Sequence, residues 1–165
     1  MQKCLYLLCP TDRLELVINQ TFKQDNYFYF SLGNSFKVEE NTIESIKQIV
    51  KEHNIKEISF VLSNNNHIVK DALGTQDFIN MRGLSSLYYR IIRQKKYSEI
   101  FWGTDYTLFS VLSYYLNNKI KELKSELGYL INNPIRINGK IYDRFDNAFK
   151  NIYSDLICIE KHSLN

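Results

Sequence analysis

The chain has 165 residues, 44% of them apolar and 24% charged, with a formal net charge of +3. That balance suits one folded domain over residues 1–165 with a single sizeable core, and the charge is too small to make nucleic acid or an acidic membrane surface a partner. No apolar run approaches a membrane span, and Cys4, Cys9 and Cys158 show no C-x-x-C spacing, so they read as reduced thiols in a cytoplasmic protein.

Lys3 to Cys9 (KCLYLLC) is apolar on both faces, as a central parallel strand is. It is too short for a signal peptide, and Asp12 and Arg13 follow at once. Tyr27 to Leu32 reads as a second strand, ended by Gly33-Asn34. NTIESIKQIVKEHN is a helix: Asn41 with Glu44 makes a capping-box start, Ile43, Ile46, Ile49 and Val50 form its apolar stripe, and Asn54 is a left-handed stop. Glu57 to Leu62 is a third strand, followed by a short helix over His67–Leu73. Ser85 to Lys95 reads as a helix and Glu99 to Trp102 (EIFW) as a fourth strand. The longest helical pattern runs from Asp105 to Leu130. Ile135 to Asp143 alternates as an antiparallel edge strand would, and Ala148–Leu156 reads as a closing helix.

Strands alternating with helices predict a three-layer α/β fold with a mostly parallel central sheet of about four strands plus an edge strand. The ligand crevice of such folds lies at the carboxyl ends of the strands. Here those ends are Cys9–Arg13, Leu32–Asn34, Ser63–His67 and Gly103–Asp105. Glycines 33, 74, 83 and 103 are isolated and make no nucleotide-binding fingerprint. The basic run RIIRQKKY (Arg90 to Tyr97) reads as a solvated helix end, because nucleic-acid binders show a broader basic face. Tyr88, Tyr89, Tyr114 and Tyr115 read as core and rim aromatics.

Taken in order, the first three ends resemble the β-class carbonic anhydrases. That family carries C-x-D-x-R after its first strand, where this chain has Cys9-Pro10-Thr11-Asp12-Arg13. Its D-x-F-x-x-R-N-x-G-N motif is echoed by Asp25, Tyr27, Gly33 and Asn34. Its G-H-x-x-C-G-x-V-K-x-A-L segment aligns with Leu62 to Leu73, and its G-x-x-Y-D with Gly139 to Asp143. The resemblance implies a β-carbonic-anhydrase-like fold and a zinc site held by Cys, His and Cys. It also implies a homodimer, although this chain begins on the first strand, without the family's N-terminal helical arm.

Of the implied zinc ligands Cys9 is present, while Ser63 stands at the His position and Asn66 at the second Cys position. A hydroxyl and a carboxamide are poor zinc ligands. In the family's catalytic Asp–Arg dyad, Arg13 matches the Arg, but Thr11 holds the Asp position and Asp12 comes one residue late. In an extended segment its side chain would point away. Phe30 replaces the Arg of the second motif.

The leading expectation is therefore a carbonic-anhydrase-like protein without zinc or catalysis, which binds a small anion, another small molecule or a protein partner. Its ligand-binding residues would be Gly33, Asn34, Ser63, Asn64, Asn65 and Asn66, using side-chain amides and the free N–H groups of the helix start. Turn and capping chemistry accounts for the same asparagines without any ligand, and the two readings are compatible, since a ligand needs only the same N–H groups. The alternative is a zinc-dependent lyase hydrating carbon dioxide or a related electrophile, with Cys9 and His67 as rearranged ligands and Asp12 or Arg13 positioning the nucleophile. A third reading, a metal-free enzyme using the Cys9 thiol, lacks any base in the sequence.

Overall fold

A computed structural model describes residues 1–36, 39–102, 108–127 and 134–154. In chain order the elements are β1 (Lys3–Leu8), α1 (Glu15–Thr21), β2 (Asp25–Phe30), α2 (Glu40–His53), β3 (Glu57–Ser63), α3 (His67–Leu73), α4 (Ser85–Trp102), α5 (Leu108–Leu127), β4 (Arg136–Asp143) and β5 (Ala148–Asn151). The strands form one sheet in the order β2-β1-β3-β4-β5. The first four run parallel and β5 closes the edge antiparallel to β4. The expected fold class, a mostly parallel sheet of four strands with an antiparallel edge, is what forms.

Alternation along the strands divides the core between the two faces. Leu5 and Leu7 of β1 join Ile58, Phe60 and Leu62 of β3 under the helices α2 to α5, where Ile46, Leu87, Ile91, Leu112 and Leu116 meet them. Cys4, Tyr6 and Leu8 face the other way, with Val61 and Tyr142, onto Leu14 and Ile18 at α1. Among the described residues, no helix is long and apolar enough to cross a membrane.

Several elements depart from expectation for identifiable reasons. Glu99–Trp102 is the end of helix α4, not a fourth strand. Leu87, Ile91, Gln94 and Ser98 are all buried, so one helical stripe runs unbroken past Lys95, and no Gly or Pro interrupts it before Gly103. The fourth strand is instead Arg136–Asp143, which lies inside the sheet, parallel to β3, from Glu57↔Arg136 to Ser63↔Tyr142. The expected closing helix begins as strand β5. Asp143 Oδ1 accepts the N–H groups of Phe145 (2.9 Å) and Asp146 (3.3 Å), and Asn147 takes a left-handed φ of 50°. That turn folds Ala148 back opposite Asp143.

Helix α2 starts one residue before Asn41, with Glu39 at the cap position and no side-chain capping bond, so the expected capping box is not made. Asn54 does end the helix, at φ 52° and ψ 47°. The outer ends of the long helical pattern, 105–107 and 128–130, lie outside the described residues, as does the strand end Gly103–Asp105.

Candidate functional site at the strand ends

After β1, Pro10–Asp12 forms one turn of 3-10 helix, closed by the Asp12 N–H on the Cys9 carbonyl at 3.0 Å. Proline at its first position presets φ for that turn. The segment is therefore not extended, and Asp12 points inward rather than away. It is 2% exposed. Its carboxylate accepts the Ser63 N–H at 2.9 Å and the Asn66 side-chain amide at 3.0 Å. Burial pushes the Asp12 carboxyl above its ordinary value, against the opposing pull of those two donors and of the Arg144 and His67 charges.

Asn66 is satisfied at both ends. While its amide donates to Asp12, its Oδ1 accepts the Val69 N–H at 3.0 Å and caps α3. The Ser63 hydroxyl oxygen accepts the Asn65 N–H and the Arg144 Nε–H, both at 3.1 Å. Arg144 also donates to the Asp12 carbonyl and lies over the Tyr142 ring, 5.7 Å from its centroid. Asn64 is tied to the hairpin: its amide donates to Asp143 Oδ1 at 3.1 Å, and its Oδ1 accepts the Arg144 N–H at 3.2 Å. Asn65 contributes only its backbone N–H to this network.

A second cluster lies beside the first. The Gly33 N–H donates to Cys9 Sγ at 3.1 Å, and Thr11 Oγ1 lies 3.0 Å from the same sulfur. The Tyr115 hydroxyl lies 3.0 and 3.1 Å from the carbonyl oxygens of Gly33 and Asn34, and burial raises its pKa. Asn34 donates to the Val61 carbonyl at 2.8 Å, and its own Oδ1 is buried without a partner. Gly33 sits at φ +60°, and a Cβ there would lie 2.4 Å from Leu87 Cδ1. Gly33→Ala should cost about 2–4 kcal/mol from left-handed strain plus overpacking. Denaturant unfolding measures it, and a loss under about 1 kcal/mol would mean that Leu87 moves aside freely.

The fold thus brings Asp12, Ser63 and Asn66 into direct contact, with Asn64 at their margin, and gathers Cys9, Gly33 and Asn34 next to them. Two expected participants stand apart. Arg13 ends the 3-10 turn at φ 51° with an exposed side chain, and His67, the first residue of α3, is exposed. The cation in the network is Arg144, which the sequence reading did not single out. Among the described residues, no three His, Cys, Asp or Glu side chains are grouped as a metal ion requires.

The hairpin that carries Arg144 is itself held by charge. Lys150 reaches Asp143 Oδ2 at 2.7 Å and Asp146 at 2.6 Å. The Lys150 hydrogen bond, chiefly, holds the Asp143 carboxyl down at about 2, from an ordinary 3.8. A depressed carboxyl stabilises the fold above its unfolded pKa, and that contribution is lost as pH falls through about 2. Asp143→Asn should therefore flatten the acid limb of a melting-temperature profile below pH 3.8. An unchanged limb would show that Lys150 exerts no such hold.

No family model matches the chain, and no curated protein matches it in sequence. Solved structures do match in fold. The β-carbonic anhydrase CafA of Aspergillus fumigatus superposes with a TM-score of 0.69 at 12% identity, over 98% of this chain and 81% of that one. Wild-type CafD, from the same fungus, gives 0.71 at 15% identity over 93% and 90%. A Coccomyxa β-carbonic anhydrase in complex with acetazolamide gives 0.70 at 12% identity over 93% and 72%. The chain has the β-carbonic anhydrase fold.

Proposed function

We propose that this chain uses the β-carbonic anhydrase fold as a binding scaffold and carries out no zinc-hydroxide chemistry at its strand ends. The observation that carries this reading is the Asp12–Ser63–Asn66–Arg144 network. Cys9, Ser63 and Asn66 stand at the three positions that the family resemblance assigns to zinc. Their donor atoms are a thiol, a hydroxyl and a carboxamide, and all three already accept hydrogen bonds from within the chain. A guanidinium beside Ser63 supplies positive charge near Asp12, and a zinc ion there would meet that charge as well as weak ligands. These residues do not fit the metal.

Metal analysis of protein purified without added zinc tests the reading. The expected result is far less than one zinc per chain, with carbon dioxide hydrated no faster than in buffer. Stoichiometric zinc that disappears in Cys9→Ser, with hydration lost in His67→Ala, would overturn it in favour of a rearranged zinc lyase.

A second copy of the chain is the partner that the fold favours. Two β-carbonic anhydrases of Sordaria macrospora with this fold are tetrameric, and among the described residues β2 is an edge strand that pairs on one side only, with the partly exposed aromatics Tyr27, Phe28 and Tyr29 along it. Sedimentation should show a dimer or larger species, and a monomer at micromolar concentration would remove this partner.

A further inference from the structure

We propose that the segment Gly33–Ser35 is a strap that closes the strand-end crevice over Cys9, and that Tyr115 and Lys119 of α5 are the latch that holds it shut. Nothing in this depends on what the crevice binds, since it concerns only how the Cys9 sulfur is reached. Helical spacing makes the latch. Tyr115 and Lys119 are both buried and stand one turn apart, at i and i+4, on one face of α5. The Tyr115 hydroxyl lies 3.0 Å from the Gly33 carbonyl oxygen and 3.1 Å from that of Asn34. The Lys119 ammonium donates to the next two carbonyls, of Ser35 at 3.0 Å and Phe36 at 2.8 Å. Two side chains of one helix thus hold four successive carbonyls of another segment.

The strap is otherwise lightly tied, and its two ends are fixed. Ser31 is pinned to β1 through the Leu8 carbonyl at 2.9 Å, and the Phe36 ring packs on Tyr29 and Phe60. The Phe36 N–H donates to the Ser31 hydroxyl at 3.1 Å, which joins those ends to each other. Between them the N–H groups are satisfied locally, Asn34 on the Ser31 carbonyl and Ser35 on the Leu32 carbonyl, both at 3.0 Å. A turn closed at its base that serves its own donors swings as one piece. Apart from the latch, its polar ties are the Asn34 amide on the Val61 carbonyl, at 2.8 Å, and the Gly33 N–H on Cys9 Sγ, at 3.1 Å. Sulfur is a weak acceptor.

Holding the strap shut is costly. Gly33 and Asn34 both take a left-handed φ, of 60° and 53°, a conformation that asparagine tolerates without preferring it. Asn34 Oδ1 is buried, and among the described residues nothing donates to it. Burial also pulls the Lys119 ammonium below its ordinary value. An open strap returns Asn34 Oδ1 to water and relieves that cost. Strain and an orphaned acceptor, held in place by their surroundings, are what switch segments carry. Water also reaches the latch, because a cavity of about 560 Å³ borders Ser35, Phe36, Lys119 and Glu122. The latch therefore breaks toward solvent rather than into packed core.

Labelling of the native protein with N-ethylmaleimide in chelator, at increasing urea and read by peptide mass spectrometry, tests the strap. Cys4 faces the opposite side of the sheet and is fully buried, so it reports unfolding of the whole domain. In the wild type, Cys9 should react faster than Cys4 at low urea and with a shallower urea dependence, because a local opening exposes little surface. Lys119→Met and Tyr115→Phe should each raise that low-urea Cys9 rate about ten-fold, with the shallow dependence kept. Circular dichroism melting would confirm that both variants fold, and Tyr115→Phe, which loses a single hydroxyl, decides if Lys119→Met does not. Cys9 labelling that follows the urea dependence of Cys4, or shallow labelling indifferent to the substitutions, would overturn the proposal. The chelator strips any metal from Cys9, so a zinc-bound thiol, which would count against the binding-scaffold reading instead, is not mistaken for a strapped one.

Discussion

Ser63→His combined with Asn66→Cys should convert this protein into one that binds about one zinc ion per chain. Cys9 is already buried at the end of β1, and the parallel pairing of β1 with β3 sets the two strand ends side by side. The double variant would put imidazole and thiolate where a hydroxyl and a carboxamide now stand. Its cost is the loss of the Asn66 cap on α3, about 1 kcal/mol, and of the amide donor to Asp12. Against this stands a metal-binding free energy that reaches about 10–16 kcal/mol in complete structural zinc sites. Even with three protein ligands and a weaker fourth, the balance favours binding. Arg144 would lose its Ser63 partner, but Lys150 and Asn64 hold the hairpin independently. Metal analysis after dialysis, with cobalt substitution to report thiolate ligation by its charge-transfer band, gives the answer. Each single variant should hold far less metal than the pair. A folded double variant that takes up no zinc would show that the strand ends have also lost the backbone geometry of a metal site, which goes further than the loss of two side chains.

The positions of this site are more legible in the sequence than what the site does. The crevice at the ends of β1, β2 and β3 shows because apolar strands break sharply into Pro10, Gly33 and Asn64, and the motif order supplies the residues. Asp12 is harder to place, since an extended segment would turn its side chain away. Pro10, which stops the strand, also starts the 3-10 turn that swings the carboxylate inward. Arg144 is hidden by topology. With Glu99–Trp102 taken as the fourth strand, Ile135–Asp143 becomes an antiparallel edge whose far end lies away from the crevice. Parallel pairing with β3 instead brings the carboxyl end of β4, and so Arg144, onto Ser63. One buried stripe in α4 is the available signal, since Ser98 continues the spacing of Leu87, Ile91 and Gln94.

Asp12→Ala should destabilise the fold by about 2–4 kcal/mol, since it removes two hydrogen bonds to a charged acceptor and leaves the Ser63 N–H and the Asn66 amide buried without a partner. Asp12→Asn, which keeps an acceptor for one of those donors, should cost about 1–3 kcal/mol. The pH dependence of that second penalty separates two accounts of the network. Burial, acting against its donors and the neighbouring cations, raises the Asp12 carboxyl, so the folded chain holds this proton more tightly than the unfolded chain does. Stability from this group is then fully present below the unfolded pKa of about 4 and is lost as pH rises through the raised folded value. Asn carries no such titration. The stability gap between wild type and Asp12→Asn should therefore narrow as pH climbs from about 4 toward neutrality, measured by urea unfolding at matched ionic strength. A gap that widens over the same range would mean that Ser63, Asn66 and Arg144 together outweigh burial. Asp12 would then be a firmly held anion, and the guanidinium would be its true counterion rather than a neighbour anchored chiefly on the Ser63 hydroxyl and the Asp12 carbonyl.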